Sequence, residues 1–439
     1  MQPSKLSRLG ARTLAAGLAL ALALTSAQAD TPAPGYQLAA QPNPAPFSPT
    51  CTLPGGDIVT FDGLSVDRWT SAGAFVGNLA SLPAFTFASF VIATPAGDAV
   101  VFAESSNGQL FLAQADGSGV TPLVSLTFNF DAAWLPGGDL IVSAATGGFG
   151  AGNDLVRVTL NPPSSTFIGH VSGPSGPLAV APDGSLHYAT QVDSFPPPAG
   201  STDIVRWSAA QVLAGNLDNA NATLVAAAFD GASSLAFDPV AGGLYLAETS
   251  FGLSQHRLRR VVTSQATSPV VVDDVADYFG NLEFVPGGAS PGSFAAYQPE
   301  DGVNLKYNVS PASISQQVTV RPRRPDLTIS GPGTTGPGTV TFTVAGGVPD
   351  GIMLATACPT PFVQAGDSAK QLPTFLWVTP FTLAETRRAS ANTPIFLDAS
   401  GDGTFQIQNS GALSGVYAWQ FLVGDGAGVL LGSTDVESF

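Results

Sequence analysis

Three histidines, two cysteines and 32 carboxylates are the groups in this 439-residue chain that could carry proton transfer, metal binding or redox chemistry. His170, His187 and His256 lie far apart in the chain, with no i,i+4 pair to hold a metal. No G-x-S-x-G elbow names a nucleophilic serine, so a hydrolytic triad has no sequence support. Asp398-x-Ser400-x-Asp402-Gly403 has the opening spacing of an EF-hand loop. Its twelfth position is Asn409 in place of a bidentate glutamate, which favours a β-turn over a calcium loop. There is no phosphate-binding loop, dinucleotide fingerprint or CxxC motif. The two cysteines, Cys51 and Cys358, are too few for a cysteine zinc site. A disulfide between them is one reading and two separate buried thiols the other.

These groups need a scaffold, and the N-terminus says where it would work. Lys5, Arg8 and Arg12 precede the apolar run Leu14–Leu24, and Ala27-Gln28-Ala29 is a small-x-small cleavage site. Residues 1–29 therefore read as a secretory signal peptide, with export to the periplasm, cell envelope or medium. They hold three of the 16 basic residues and none of the 32 acidic ones, leaving 13 basic against 32 acidic, a charge of −19. Such a surface disfavours nucleic acid and anionic membrane and tolerates cations. No other apolar run is long enough to span a bilayer, so no membrane insertion of the mature chain is expected.

Only 11% of residues are charged, with 49 Gly and 36 Pro, the composition of a turn-rich all-β protein. Residues 30–52 form an extended, proline-rich leader. From 53 to 318 a hairpin phrase returns, clearest as LPGGDLIVSA at 135–144. The glycine that closes its turn falls at Gly56, Gly97, Gly138, Gly184, Gly243 and Gly292. Six units of about four short strands predict a six-bladed β-propeller. Unit one shows no clear first strand before Gly55. Either the leader near 46–53 supplies it, or a late segment such as 313–320 crosses over. Residues 208–216 read as a short helix or loop. Residues 319–325, with Arg321, Arg323 and Arg324 among prolines, read as a stiff linker. Residues 326–439 show seven or eight short strands, which predicts an immunoglobulin-like β-sandwich.

Long loops in units three, four and five each carry one aromatic, Phe149, Phe195 and Phe251. Large loops on a rigid scaffold suit ligand binding, so these three are the candidate contact residues for an extracellular glycan, peptide or protein.

The units resemble NHL-type six-bladed propellers and the related gluconolactonase-like and strictosidine-synthase-like groups. The residues concerned are 243–249 (GLYLAET), 178–184 (LAVAPDG) and 235–239 (LAFDP). Residues 397–405 resemble C-terminal β-modules of secreted bacterial proteins. The resemblance implies that linkers and long loops meet at one face around the central channel. On that basis Asp131, Asp203, Glu248 and Asn281 are candidate ligands of one divalent cation such as Ca²⁺, and Asp230 or Asp277 the candidate catalytic base. Asn281, in Gly280-Asn281-Leu282-Glu283-Phe284, resembles the family's metal-binding N-G-[LI]-x-[FW] phrase but lacks the glycine after Asn. The expectation is a secreted, non-enzymatic binding or scaffold protein. The alternative is a metal-dependent, gluconolactonase-like hydrolase.

Overall fold

The computed structural model describes residues 31–32, 36–42, 44–45, 48–105, 107–148, 150–174, 176–194, 197–238, 243–250, 255–261, 270–273, 279–286, 303–309, 316–322, 326–347, 350–359, 395–410, 417–424, 430–433 and 437–438. The proposed signal peptide and Phe149, Phe195, Phe251 and Asp277 lie outside these residues, as does the side chain of Cys358.

Six antiparallel sheets follow one another along the chain and form the blades of a β-propeller. Blade 3 shows why the repeat phrase folds this way. Its inner strand Asn129–Trp134 turns through Pro136-Gly137-Gly138 into Leu140–Ala144, which is followed by Asn153–Leu160 and the outer strand Pro163–Val171. Gly138 has φ +87°, as a tight hairpin turn requires. Leu140–Ala144 is buried on both faces, because a neighbouring blade covers each side. Apolar clusters fill the seams between consecutive blades from 1 to 6. In the seam of blades 3 and 4, Tyr188 and Trp207 are fully buried among Leu135, Ile141 and Leu155.

A charged pair repeats at one place in three blades. The Asp of the first hairpin turn meets an Arg on the third strand: Asp57 with Arg68 at 2.6 Å, Asp139 with Arg157, and Asp183 with Arg206 at 3.0 Å. Partly exposed pairs of this kind are worth about 1 kcal/mol or less, so they pin the turn more than they stabilise the ring.

The leader closes the ring. Thr50–Thr52 is the inner strand of blade 1. Tyr36–Pro42 is the outer strand of blade 6, in register with Gln316–Pro322 from Tyr36↔Pro322 to Pro42↔Gln316. Thr31–Pro32 adds to the edge of blade 5. The leader thus supplies the missing first strand, while the late segment is the third strand of blade 6. That strand runs to Pro322, into the stretch read as a linker. Leu38 packs on the core between blades 5 and 6.

The helix Ala209–Ala214 lies within blade 4, started by a capping box of Ser208 and Gln211. Among the described residues no helix is long and apolar enough to cross a membrane. Beyond the propeller, a sheet of Asp326–Ser330, Gly338–Ala345 and Gly403–Asn409 shares a core with a second sheet built on Ile352–Pro359 and Tyr417–Gly424. Val340, Phe342, Met353 and Phe421 are its buried centre.

Candidate functional site in the central channel

The inner strands of all six blades surround a cavity of about 320 Å³. Its wall is mostly backbone edge. In each inner strand alternate N–H groups bond to the second strand of the same blade, and the others point away from it, into the channel. Leu135 donates into its own hairpin, to Asp139 O, so the N–H groups of Trp134 and Ala132 face inward. The same count puts Thr50 and Thr52, Val91, Leu178 and Leu235 on the channel. Backbone donors facing a cavity must find acceptors.

Polar side chains from the preceding blade supply several of them. Asp131 Oδ2 accepts from Leu178 N of blade 4 at 2.9 Å, and its Oδ1 from Ala132 N at 2.9 Å. Ser234 Oγ of blade 5 accepts from Leu282 N of blade 6 at 2.9 Å. Asn281 of blade 6 accepts from Thr50 N of blade 1 at 3.1 Å and donates to Thr50 O at 2.5 Å. Glu283 accepts from Thr52 N at 2.9 Å and from Thr52 Oγ1 at 2.6 Å. Asp131, Ser234 and Asn281 occupy the same repeat position, each just before a channel-facing N–H of its own strand. In blades 1 and 4 that position is Pro49 and Pro177, whose side chains cannot accept. The N–H groups of Val91 and Leu235 are then left to whatever fills the cavity.

Burial pushes the Asp131 carboxyl up to about 7, against the pull of its two backbone donors. A carboxyl that titrates near neutrality in a cavity can exchange protons with a bound molecule. Cys51 also lines the channel and is a free thiol. Burial, and next the Glu283 carboxylate, push its thiol well above its ordinary range.

Of the four candidate cation ligands the channel brings together only Asp131 and Asn281. Glu248 is buried at the end of the second strand of blade 5, where it pairs with Arg259 and accepts from Asp230 N at 3.1 Å. Glu104 holds the equivalent place in blade 2 and accepts from Asn107 N and Gln109 N at 3.0 Å. These glutamates cap loops, a task the repeat itself sets. Asp203, on the third strand of blade 4, accepts from Ala228 N at 3.1 Å. Asp230, a candidate base, accepts from Gly200 N at 3.0 Å. Among the described residues no three His, Cys, Asp or Glu side chains come together as a cation site. The oxygens of Asp131 and Asn281 are engaged with backbone amides, and those of Glu283 with the N–H and the hydroxyl of Thr52. The described residues therefore do not fit a divalent cation.

On blade 3, His170 Nδ1 lies 2.8 Å from Asp154 Oδ1, and Thr146 Oγ1 donates to the other carboxylate oxygen. The hydroxyl meets the carboxylate, not the imidazole, so this is no activated nucleophile. At Asp398 the carboxylate accepts from Ser400 N and Asp402 N, as a turn does.

Motif and spacing do not single out Glu283, Ser234 or the channel-facing backbone. A signal exists at Ser234, which holds the same place relative to its hairpin as Asp131.

No family model and no curated protein matches the chain. Among solved structures it is similar to a gluconolactonase from Xanthomonas campestris, at 14% identity and TM-score 0.47, over 68% of this chain and 99% of that one. A PQQ-bound aldose sugar dehydrogenase from Streptomyces coelicolor is similar at 13% identity and TM-score 0.45, over 66% and 100%. A virginiamycin B lyase from Staphylococcus aureus is similar at 12% identity and TM-score 0.38, over 70% and 95%. At these identities the likeness is one of fold and says nothing of activity.

Proposed function

We propose that the propeller takes a small oxygen-rich molecule into its channel and hydrolyses it as a lactonase does, with Asp131 as the proton-exchanging group. The observation that carries this is Asp131, a carboxyl raised to about 7 on the wall of a cavity of about 320 Å³. As general base it takes a proton from a water that attacks the lactone carbonyl carbon. The carbonyl oxygen then carries negative charge, and backbone N–H groups such as those of Val91 and Leu235 are of the type that stabilises it. When the tetrahedral carbon collapses, the ring C–O bond breaks. Asp131 returns the proton to the departing oxygen, leaving the open hydroxy acid.

The test is acid release from a panel of aldonolactones, followed by pH-stat titration. The wild-type protein is expected to release acid, and Asp131→Asn to lose about 100-fold or more of that rate with its fold intact. A wild-type protein that turns over nothing in the panel overturns the hydrolase reading.

A second reading, a non-enzymatic binding protein, is favoured by the engagement of Asp131, Asn281 and Glu283 with backbone amides. It predicts ligand-dependent thermal stabilisation without turnover. Its partner would be an extracellular glycan, peptide or protein, met through the loops of Phe149, Phe195 and Phe251, with no role for nucleic acid. In either reading we propose export by the signal peptide at 1–29. The C-terminal sheets, sharing a core around Phe342 and Phe421, support an immunoglobulin-like sandwich.

A further inference from the structure

We infer that the molecule taken into the channel carries an uncharged apolar tail, which lies on Leu64, Phe85, Phe87 and Phe130 at the channel mouth. The inference rests on the lactonase reading for the ring at Asp131 and adds the rest of the molecule. Phe85 and Phe87 lie in the linker that runs from the outer strand of blade 1 to the inner strand of blade 2, so they lead inward to the mouth. They are 68% and 69% exposed, with their rings edge to face at 6.0 Å. Leu64, in the neighbouring loop of blade 1, and Phe130, which directly precedes Asp131, are exposed as well. None of the four sits on a loose loop. Thr86, between the two rings, donates its N–H to Gly63 O at 2.9 Å and its hydroxyl to Glu104 Oε2 at 2.6 Å. Ser105 N donates to Phe87 O at 2.9 Å. The Glu104 carbonyl in turn accepts from Asn129 Nδ2 at 2.9 Å. Glu104 is buried, so one residue sets both the phenylalanine pair and the strand that carries Phe130 and Asp131.

Aromatic rings held rigidly in water mark a contact surface, because a ligand that covers them orders little and removes much apolar area from water. Charge narrows the ligand. Arg68 is the single basic residue between 48 and 148. Asp57 holds it at the hairpin turn, the opposite end of blade 1. A tail ending in a carboxylate or phosphate therefore finds no cationic partner within blades 1 and 2. The carboxylates of Asp62 and Glu104 accept N–H groups of their own loops, from Leu64 and Asn107. At about 3.3 Å per residue, Phe87 lies roughly 13 Å along the chain from Val91, whose N–H faces the cavity. A medium-length alkyl chain bridges that span.

The experiment measures, by calorimetry, the binding of γ-lactams with straight alkyl chains of rising length to the full mature protein. A lactam has the ring without the cleavable ester, so the readout is binding and does not depend on turnover. Affinity is expected to rise about two- to fourfold per added methylene until the chain outruns the patch. Phe85→Ser combined with Phe87→Ser is expected to remove most of that rise. Phe167→Ser, on the outer strand of blade 3 and 60% exposed, is the control and should leave the series unchanged. Should the double variant fail to fold, Phe87→Ser alone is read the same way. A flat series, or a rise that survives the double variant, would overturn the inference. So would a wild-type dimer that the double variant turns into a monomer, which gives the patch to a second copy. Binding to phosphatidylcholine vesicles that the double variant loses would give it to a bilayer instead. The hydrolase reading fails separately. Lactams that follow the series while the matching alkyl lactones stay intact keep the tail site and remove hydrolysis. Lactones that turn over with no dependence on chain length remove the tail site alone.

Discussion

Asn281 and Thr50 are joined by two hydrogen bonds, one from each end of the Asn281 side-chain amide, although 231 residues separate them. A side chain here does the work of a neighbouring strand. The same device recurs at Asp131 and Ser234, always directed to the following blade. Bonds of this kind are worth about 1 kcal/mol each, and about 1.5–3 kcal/mol where the acceptor is charged. The channel wall is therefore part of what holds the ring together.

Asp131 makes that wall sensitive to pH. Its folded pKa of about 7 lies above the ordinary value of 3.8, so the folded state binds the proton more tightly than the unfolded one. Its contribution is fully present below pH 4 and is lost as pH rises toward 7 and beyond. Asn at this position keeps an acceptor for Leu178 and never ionises. Asp131→Asn should therefore gain stability relative to wild type between pH 4 and 8, read from urea midpoints. A constant difference across that range would refute the assignment.

His187 acts in the opposite direction. Burial, then the Arg206 guanidinium, push it down to about 4, with Asp183 pulling the other way. A neutral imidazole is favoured in the fold, so its stability is present above pH 6.5 and lost between 6.5 and 4. A shift of this size is worth about 3 kcal/mol. His187→Gln should flatten the acid limb of the stability curve, and an unchanged limb would count against it.

Removal of residues 30–42 should strip blade 6 of its outer strand. The seven register pairs from Tyr36↔Pro322 to Pro42↔Gln316 are lost, and with them the packing of Leu38. The unfolding midpoint is expected to fall by about 5 °C or more. If the midpoint does not move, the leader is not the closing strand.

Two glycines separate backbone strain from crowding. Gly138 has φ +87° with open space where a methyl would stand, so Gly138→Ala should cost only the left-handed conformation, roughly 1–2 kcal/mol. Gly108 has φ +76°, and a Cβ there would sit 2.3 Å from the backbone of Leu126. Gly108→Ala should cost about 2 kcal/mol more than Gly138→Ala, measured by chemical denaturation. Equal losses would show that the Leu126 backbone gives way.

The strand pattern and the turn glycines were enough to read six hairpins and an all-β fold, because period and positive φ are local properties. Positive φ at Gly56, Gly97, Gly138 and Gly184 is the local rule made visible. The capped helix start at Ser208 and Gln211 is local in the same sense. Which carboxylates meet was not local. Glu248 and Asn281 look alike as candidate ligands in the chain, yet one caps a loop inside blade 5 and the other holds blade 1. Ring closure places Thr50 beside Asn281 and Tyr36 beside Pro322, contacts across most of the chain that no window of sequence contains. The amino-acid order by itself determined the blades. Only the closed ring decided which polar groups face the channel and which of them are already engaged.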